Sequence, residues 1–313
     1  MTKDQIMTVR GPVSPVELGA VVTHEHVLHS FGEPATTDPQ YDMEHVAKIA
    51  IPTLKGLLEH GCNTVVECTT EYFGRSVEDL RYLSEQSGIH IITNTGYYGA
   101  ADDRYVPKHA YDESAEQLAA RWVAEWESGI GGTRIRPGFI KIGVDSPGPL
   151  SDIDAKLVRA GAIAHLGTGL VMEIHSPGDG TFGVAELDIL GEEGVAADAW
   201  IWVHADTVDD VDAVVAAAAR GGWVEFDSIK KDNLDERVRL LTRMKTEHLL
   251  SRVLLSHDES SYAADRTESV PAHITLFTDL VPLLLESGFG KDEIRLMTVE
   301  NPRRAFTIGV RKA

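Results

Sequence analysis

Ala20-Val-Val-Thr-His-Glu-His-Val27 decides how the rest of the chain is read. Its β-branched run predicts a strand buried on both faces. Residues two apart on a strand share a face, so His24 and His26 point together toward an interior and Glu25 points out. Two neutral imidazoles at that spacing can chelate one cation. An ordinary polar strand end reads the same way in isolation, so the weight falls on whether the pattern recurs.

Seven further short apolar runs follow: Asn63–Cys68, Ile89–Asn94, Phe139–Val144, Leu170–His175, Trp200–His204, Trp223–Phe226 and Arg252–Ser256. Amphipathic stretches separate them. Val46, Ile49, Leu54, Leu57 and Leu58 form one apolar face that stops near Gly61, and Ser76 is placed to cap the next helix. Val208, Val211, Val214, Val215 and Ala218 form another face, with Leu234–Leu250 and 272–287 as later helical segments. Strand–helix alternation implies parallel strands. Eight such units predict an α/β fold, a (β/α)8 TIM barrel. An open doubly wound sheet is the alternative, but no GxGxxG follows the first strand.

No Pro/Gly/Ser-rich linker or sequence repeat divides the chain, so residues 1–313 are expected to form one domain. Within it, 1–19 would be a short N-terminal hairpin or arm and 20–313 the barrel. The stretches Ser30–Gln40, Tyr97–Tyr111, Ser176–Gly183 and 259–271 lack periodicity and each follow a strand. In a barrel such loops frame the active face.

Three more strands end in candidate ligands: His175, His204 and, in Leu254-Leu-Ser-His-Asp258, Asp258. One strand-end histidine is commonly packing; several on one rim point to metal. Lys141 lies inside the fourth strand between Ile140 and Ile142. Its stem could simply pack while the amine reaches solvent. Alternatively, burial and nearby cations would lower its pKa, and the neutral amine could take up CO2 as a metal-bridging carbamate. His257 and His29 read as support or packing, and Tyr97 as lining or packing.

Composition narrows the partners. Hydrophobic residues make up 43% and charged residues 25%, and the formal net charge is -20. That charge excludes nucleic acid and anionic membrane as expected partners, since both call for a basic surface. No run of about 18 apolar residues suggests a membrane span. The start lacks an apolar signal region. Cys62 and Cys68 form neither a disulfide framework nor CxxC, which fits a cytoplasmic protein.

The order His24-x-His26, Lys141, His175, His204, Asp258 resembles the binuclear members of the amidohydrolase superfamily. More narrowly, Val9-Arg-Gly-Pro-Val-Ser-Pro-Val-Glu-Leu-Gly19, Thr23-His-Glu-His26, Leu254-Leu-Ser-His-Asp258 and Glu300-Asn-Pro-Arg-Arg-Ala-Phe306 resemble the phosphotriesterase family, including its lactonases. The resemblance runs from about Val9 to Phe306. It implies two divalent metal ions: one on His24, His26 and Asp258, the other on His175 and His204, with carbamylated Lys141 and a hydroxide bridging them. Zinc is the expected ion, with manganese, cobalt or iron as alternatives. The hydroxide would attack a carbonyl or phosphoryl centre, with Asp258 moving the proton. Tyr98, after the third strand, is where family lactonases are expected to carry a tyrosine that orients the substrate carbonyl; rim packing is the competing reading. The implied substrates are small molecules: lactones first, then phosphorylated sugar lactones, organophosphate triesters or cyclic amides. Lys230, Lys231 and Arg266 could meet an anionic group or be solvated surface, as could Arg303 and Arg304. By analogy a homodimer is expected.

Overall fold

The computed structural model describes residues 4–145, 149–263 and 273–313. A hairpin pairs Ile6–Thr8 antiparallel with Gly11–Val13 and leads through a short 3-10 turn into the first long strand. The barrel strands are β1 (Ala20–His29), β2 (Cys62–Glu67), β3 (His90–Ile92, resuming at Asn94–Thr95), β4 (Phe139–Gly143), β5 (Met172–His175), β6 (Trp200–Val203), β7 (Trp223–Phe226) and β8 (Val253–Leu255). All neighbouring pairs are parallel. Helices alternate with them: α1 (Met43–Glu59), α2 (Val77–Ser87), α3 (Ala115–Ser128), α4 (Asp152–Thr168), α5 (Thr181–Glu192), α6 (Val211–Ala219) and α7 (Leu234–Thr246). The (β/α)8 reading holds, with two irregular seams.

At the first seam β3 breaks at Thr93: its first half pairs with β2 and its second with β4. At the second, no regular ladder joins β8 to β1. Individual hydrogen bonds do so instead: His24 N donates to Ser256 Oγ at 2.9 Å, Asp258 N to His24 O at 3.2 Å and His26 N to Glu259 O at 2.9 Å. Ser260–Ala263 then runs parallel to β1, with Ser260 opposite His26. The sequence predicts only an unstructured loop there, because Glu259-Ser-Ser-Tyr-Ala carries no clear period.

The lumen is built in layers, as the strand period of two requires. Val21, Val66, Ile92, Phe139, Val171, Ile201, Trp223 and Leu254, one from each strand region, form an apolar lower layer with Ile6 and Leu18 of the arm beneath it. Two residues further along lie Cys68, Lys141, Glu173 and Glu225, all buried. Two further again come His175 and Asp227. A larger apolar shell packs between strands and helices. Burying one large side chain in either cluster contributes about 2 kcal/mol.

Glu25 refines the simple alternation. It turns away from the axis as expected, yet it is 2% exposed. A register shift between Val22 and Glu25 turns the strand, and the carboxylate binds His257 Nδ1 at 2.8 Å and accepts the backbone N–H of His257 and of Glu259. It therefore fastens β1 to the chain carrying Asp258.

Candidate metal centre

The barrel mouth brings together every residue expected to bind metal. Asp258 Oδ1 lies 3.4 Å from His24 Nε2 and 3.5 Å from His26 Nε2. His204 Nε2 lies 2.6 Å from His175 Nδ1, with ring centroids 4.4 Å apart, and the His24 and His204 rings are 5.1 Å apart. Lys141 lines the same cleft. His204 and Asp258 adopt positive φ, 63° and 53°, which non-glycine residues rarely do. At these two strand ends the backbone turns sharply, a local strain that persists where the surroundings enforce it.

Two groups that the sequence reading missed set the tautomers of three rings. Asp227 takes both His24 Nδ1, at 3.0 Å, and His204 Nδ1, at 2.8 Å. Thr69 Oγ1 lies 2.8 Å from His26 Nδ1. Holding Nδ1 from behind leaves Nε2 of all three rings free for a cation. His24, His26 and Asp258 present ligand atoms within 4.8 Å of one another. The donor set therefore fits two cations: imidazole nitrogen, a carboxylate, and a buried lysine lining the same cleft.

Electrostatics support neutral imidazoles. Burial, then the charge of Lys141, lowers the His24 pKa; burial, His204 and Lys141 push His175 well below the usual range. Burial opposes the charged form of His204 too, but Asp227 outweighs it and the pKa is raised. Lys141 corrects the sequence expectation. Burial does act to lower its pKa, but Cys68, Glu173 and Glu225 outweigh burial and hold the ammonium above the ordinary lysine value. Glu173 Oε1 accepts from Lys141 Nζ at 2.8 Å. This partner comes from the neighbouring strand, where the sequence around Lys141 gave no sign of it.

A cleft of about 260 Å³ opens above the cluster, lined by His24, His26, Lys141, His175 and Asp258 together with His29, Phe31, Phe73, Tyr98 and Ser260. Phe73 stacks on Tyr98 at 5.1 Å and meets Tyr105 at 5.0 Å and Phe31 at 5.5 Å, so one wall is aromatic. The Tyr98 phenol oxygen lies 3.3 Å from His175 Nε2. Two glycines seat it. A Cβ on Gly96, at φ 120°, would fall 2.0 Å from Lys141 O, and one on Gly143 would fall 2.6 Å from the Tyr98 ring. Tyr97 packs on Trp122 and reaches His109 with its hydroxyl, away from the cleft. His257 is support: its Nε2 accepts the N–H of Leu276. Lys230 and Lys231 are exposed and do not line the cleft, and Arg303 reaches Val16 O on the barrel floor. Arg266 lies outside the described residues.

The phosphotriesterase family model matches residues 4–306. A phosphotriesterase homology protein of Escherichia coli is 29% identical over 92% of this chain and 98% of its own length. An aryldialkylphosphatase of Saccharolobus solfataricus is 27% identical over 93% and 96%. In the solved structure of an organophosphorus hydrolase mutant from Deinococcus radiodurans, the match has a TM-score of 0.87 and 26% identity over 97% of each chain. Fold, site and comparisons together define a metal-dependent hydrolase on a TIM barrel, and the chain belongs to the phosphotriesterase family.

Proposed function

We propose that this hydrolase opens lactones, using His24, His26 and Asp258 for one cation, His175 and His204 for the other, and carbamylated Lys141 between them. When bound, the two cations supply Lewis acidity that polarises the scissile carbonyl and brings the pKa of a water toward neutrality. Zinc suits so histidine-rich a site, and manganese, cobalt or iron could take its place.

The observation that carries the reading is Tyr98. Its phenol sits beside His175 at the cleft wall, and its pKa is pushed up by burial, so it remains an O–H donor at neutral pH. It donates to the carbonyl oxygen as that oxygen gains charge. Asp258, beside two imidazoles and facing the cleft, takes the proton of the attacking water and returns it to the ring alkoxide. The alkoxide stays tethered to the product, so a compact cleft suffices. Phe31 and Phe73 pack the apolar part of the substrate and exclude water.

Organophosphate triester hydrolysis is the second reading, favoured by the names of the Saccharolobus and Deinococcus relatives. Steady-state kinetics on γ- and δ-lactones, phosphorylated aldonolactones and an aryl phosphotriester separate them. Lactone hydrolysis should have the highest kcat/KM. A triester rate orders of magnitude above every lactone would overturn the assignment. The two cysteines are free and buried, in keeping with a cytoplasmic setting.

A further inference from the structure

One layer below the imidazoles, Glu173 is 0% exposed, and no ligand role uses it. Its Oε1 accepts from Lys141 Nζ at 2.8 Å and from Cys68 Sγ at 2.9 Å, while Oε2 has no hydrogen-bond partner among the described residues. A half-satisfied buried carboxylate is unfavourable unless its geometry serves something else. Glu173 and Lys141 are direct partners in the β4–β5 ladder, and His175 follows Glu173 by two residues on the same face. Glu173 therefore meets the lysine nitrogen from the neighbouring strand and, unlike Lys141, does not line the cleft.

We propose that Glu173 is the positioning residue that aims the Lys141 bridge. The inference rests on the carbamate reading above. Carbamate formation begins with loss of one ammonium proton. The amine lone pair then forms the N–C bond to CO2, one C=O π pair moves onto oxygen, and nitrogen releases a second proton; both protons leave to water in the cleft. One N–H remains. The nitrogen is then planar and conjugated, as in an amide. With that N–H fixed on Glu173 Oε1, planarity directs the carboxylate away from Glu173, toward the cleft that His24, His175 and Asp258 line. The acceptor, and not the negative charge, is what the site uses.

The test compares wild type with Glu173→Leu, Glu173→Gln and Glu173→Asp, each loaded with zinc in 13C-bicarbonate. The readouts are zinc per chain, the affinity for the second zinc and the NMR signal of the labelled carbamate. Wild type and Glu173→Gln, which keeps an oxygen acceptor, should hold two zinc ions and a labelled carbamate. Glu173→Leu should bind the second zinc at least about tenfold more weakly with a diminished carbamate signal. Glu173→Asp, which retracts the acceptor by one methylene, should show the same loss and carries the test if the leucine variant does not fold. Wild-type affinity and full carbamate in Glu173→Leu or Glu173→Asp would overturn the proposal, as would an equal loss in Glu173→Gln. Wild type holding two zinc ions without any labelled carbamate would instead overturn the bridge reading beneath it.

Discussion

The mouth of the barrel and the layer just beneath it have opposite chemistry. At the mouth, burial and Lys141 hold His24 and His175 below their usual pKa, so they stand ready as neutral ligands. Behind those rings, Asp227 is driven down by His204 and His24 despite burial, while in the layer beneath, burial and neighbouring carboxylates push Glu225 well above the carboxylate range. The imidazoles face the cleft, but the groups behind them set their orientation. A single carboxylate, Asp227, fixes two imidazoles from different strands, and Thr69 fixes a third.

If that division is right, changes in the two layers should separate in kind. The largest effect is expected for Lys141→Ala, which removes the link between the two ligand groups. One metal should be lost per chain, and kcat should fall by about a thousandfold or more. Full metal content and activity in this variant would break the bridging role of Lys141.

Asp227→Asn touches neither cation nor substrate, yet it should weaken metal affinity by roughly 10- to 100-fold by freeing two tautomers. Metal titration against a chelator would show it, and excess metal should restore much of the rate. A loss of rate with unchanged affinity would move Asp227 out of its supporting role and into the reaction.

Tyr98→Phe should leave metal content intact and lower kcat on lactones by about tenfold or more, with KM little changed. An unaltered kcat would return Tyr98 to packing.

The smallest effect lies outside both layers. Glu186 accepts from Ser176 Oγ and, at 2.7 Å, from Trp200 Nε1; burial raises its pKa to about 8. Native Glu186 holds its proton up to that pH, whereas the unfolded carboxyl releases it near 4.5. Its contribution to stability is thus complete below about 4.5 and is lost as pH rises through about 8, by at most about 1.4 kcal/mol per pH unit. Glu186→Gln should flatten that part of the profile in chemical denaturation. An unchanged slope would show that the site does not favour the protonated carboxyl.

The sequence made the upper layer legible because its residues stand at strand ends, where an apolar run stops on His or Asp. The lower layer was harder. Glu173 and Glu225 sit inside runs read simply as buried strands, although each lies two residues before a mouth residue, His175 or Asp227. Applying the same period of two to Trp223-Val-Glu-Phe-Asp227 would have exposed both acids on the inner face. Thr69 had no such signal, since it follows β2 in an irregular turn. The Phe31–Phe73 contact depends on loops from different units meeting in space, which no local pattern encodes. The eight strands were found because parallel strands buried on both faces are nearly continuous apolar runs. The break at Thr93 and the extra strand Ser260–Ala263 escaped because hydrogen-bond register, and not side-chain pattern, creates them.

Metal stoichiometry tests the central claim most directly. Elemental analysis of the metal-replete wild type, after unbound ions are removed, should give about two divalent cations per chain, with activity lost on chelation and recovered on adding metal back. One cation or none per chain in fully active protein would contradict the account.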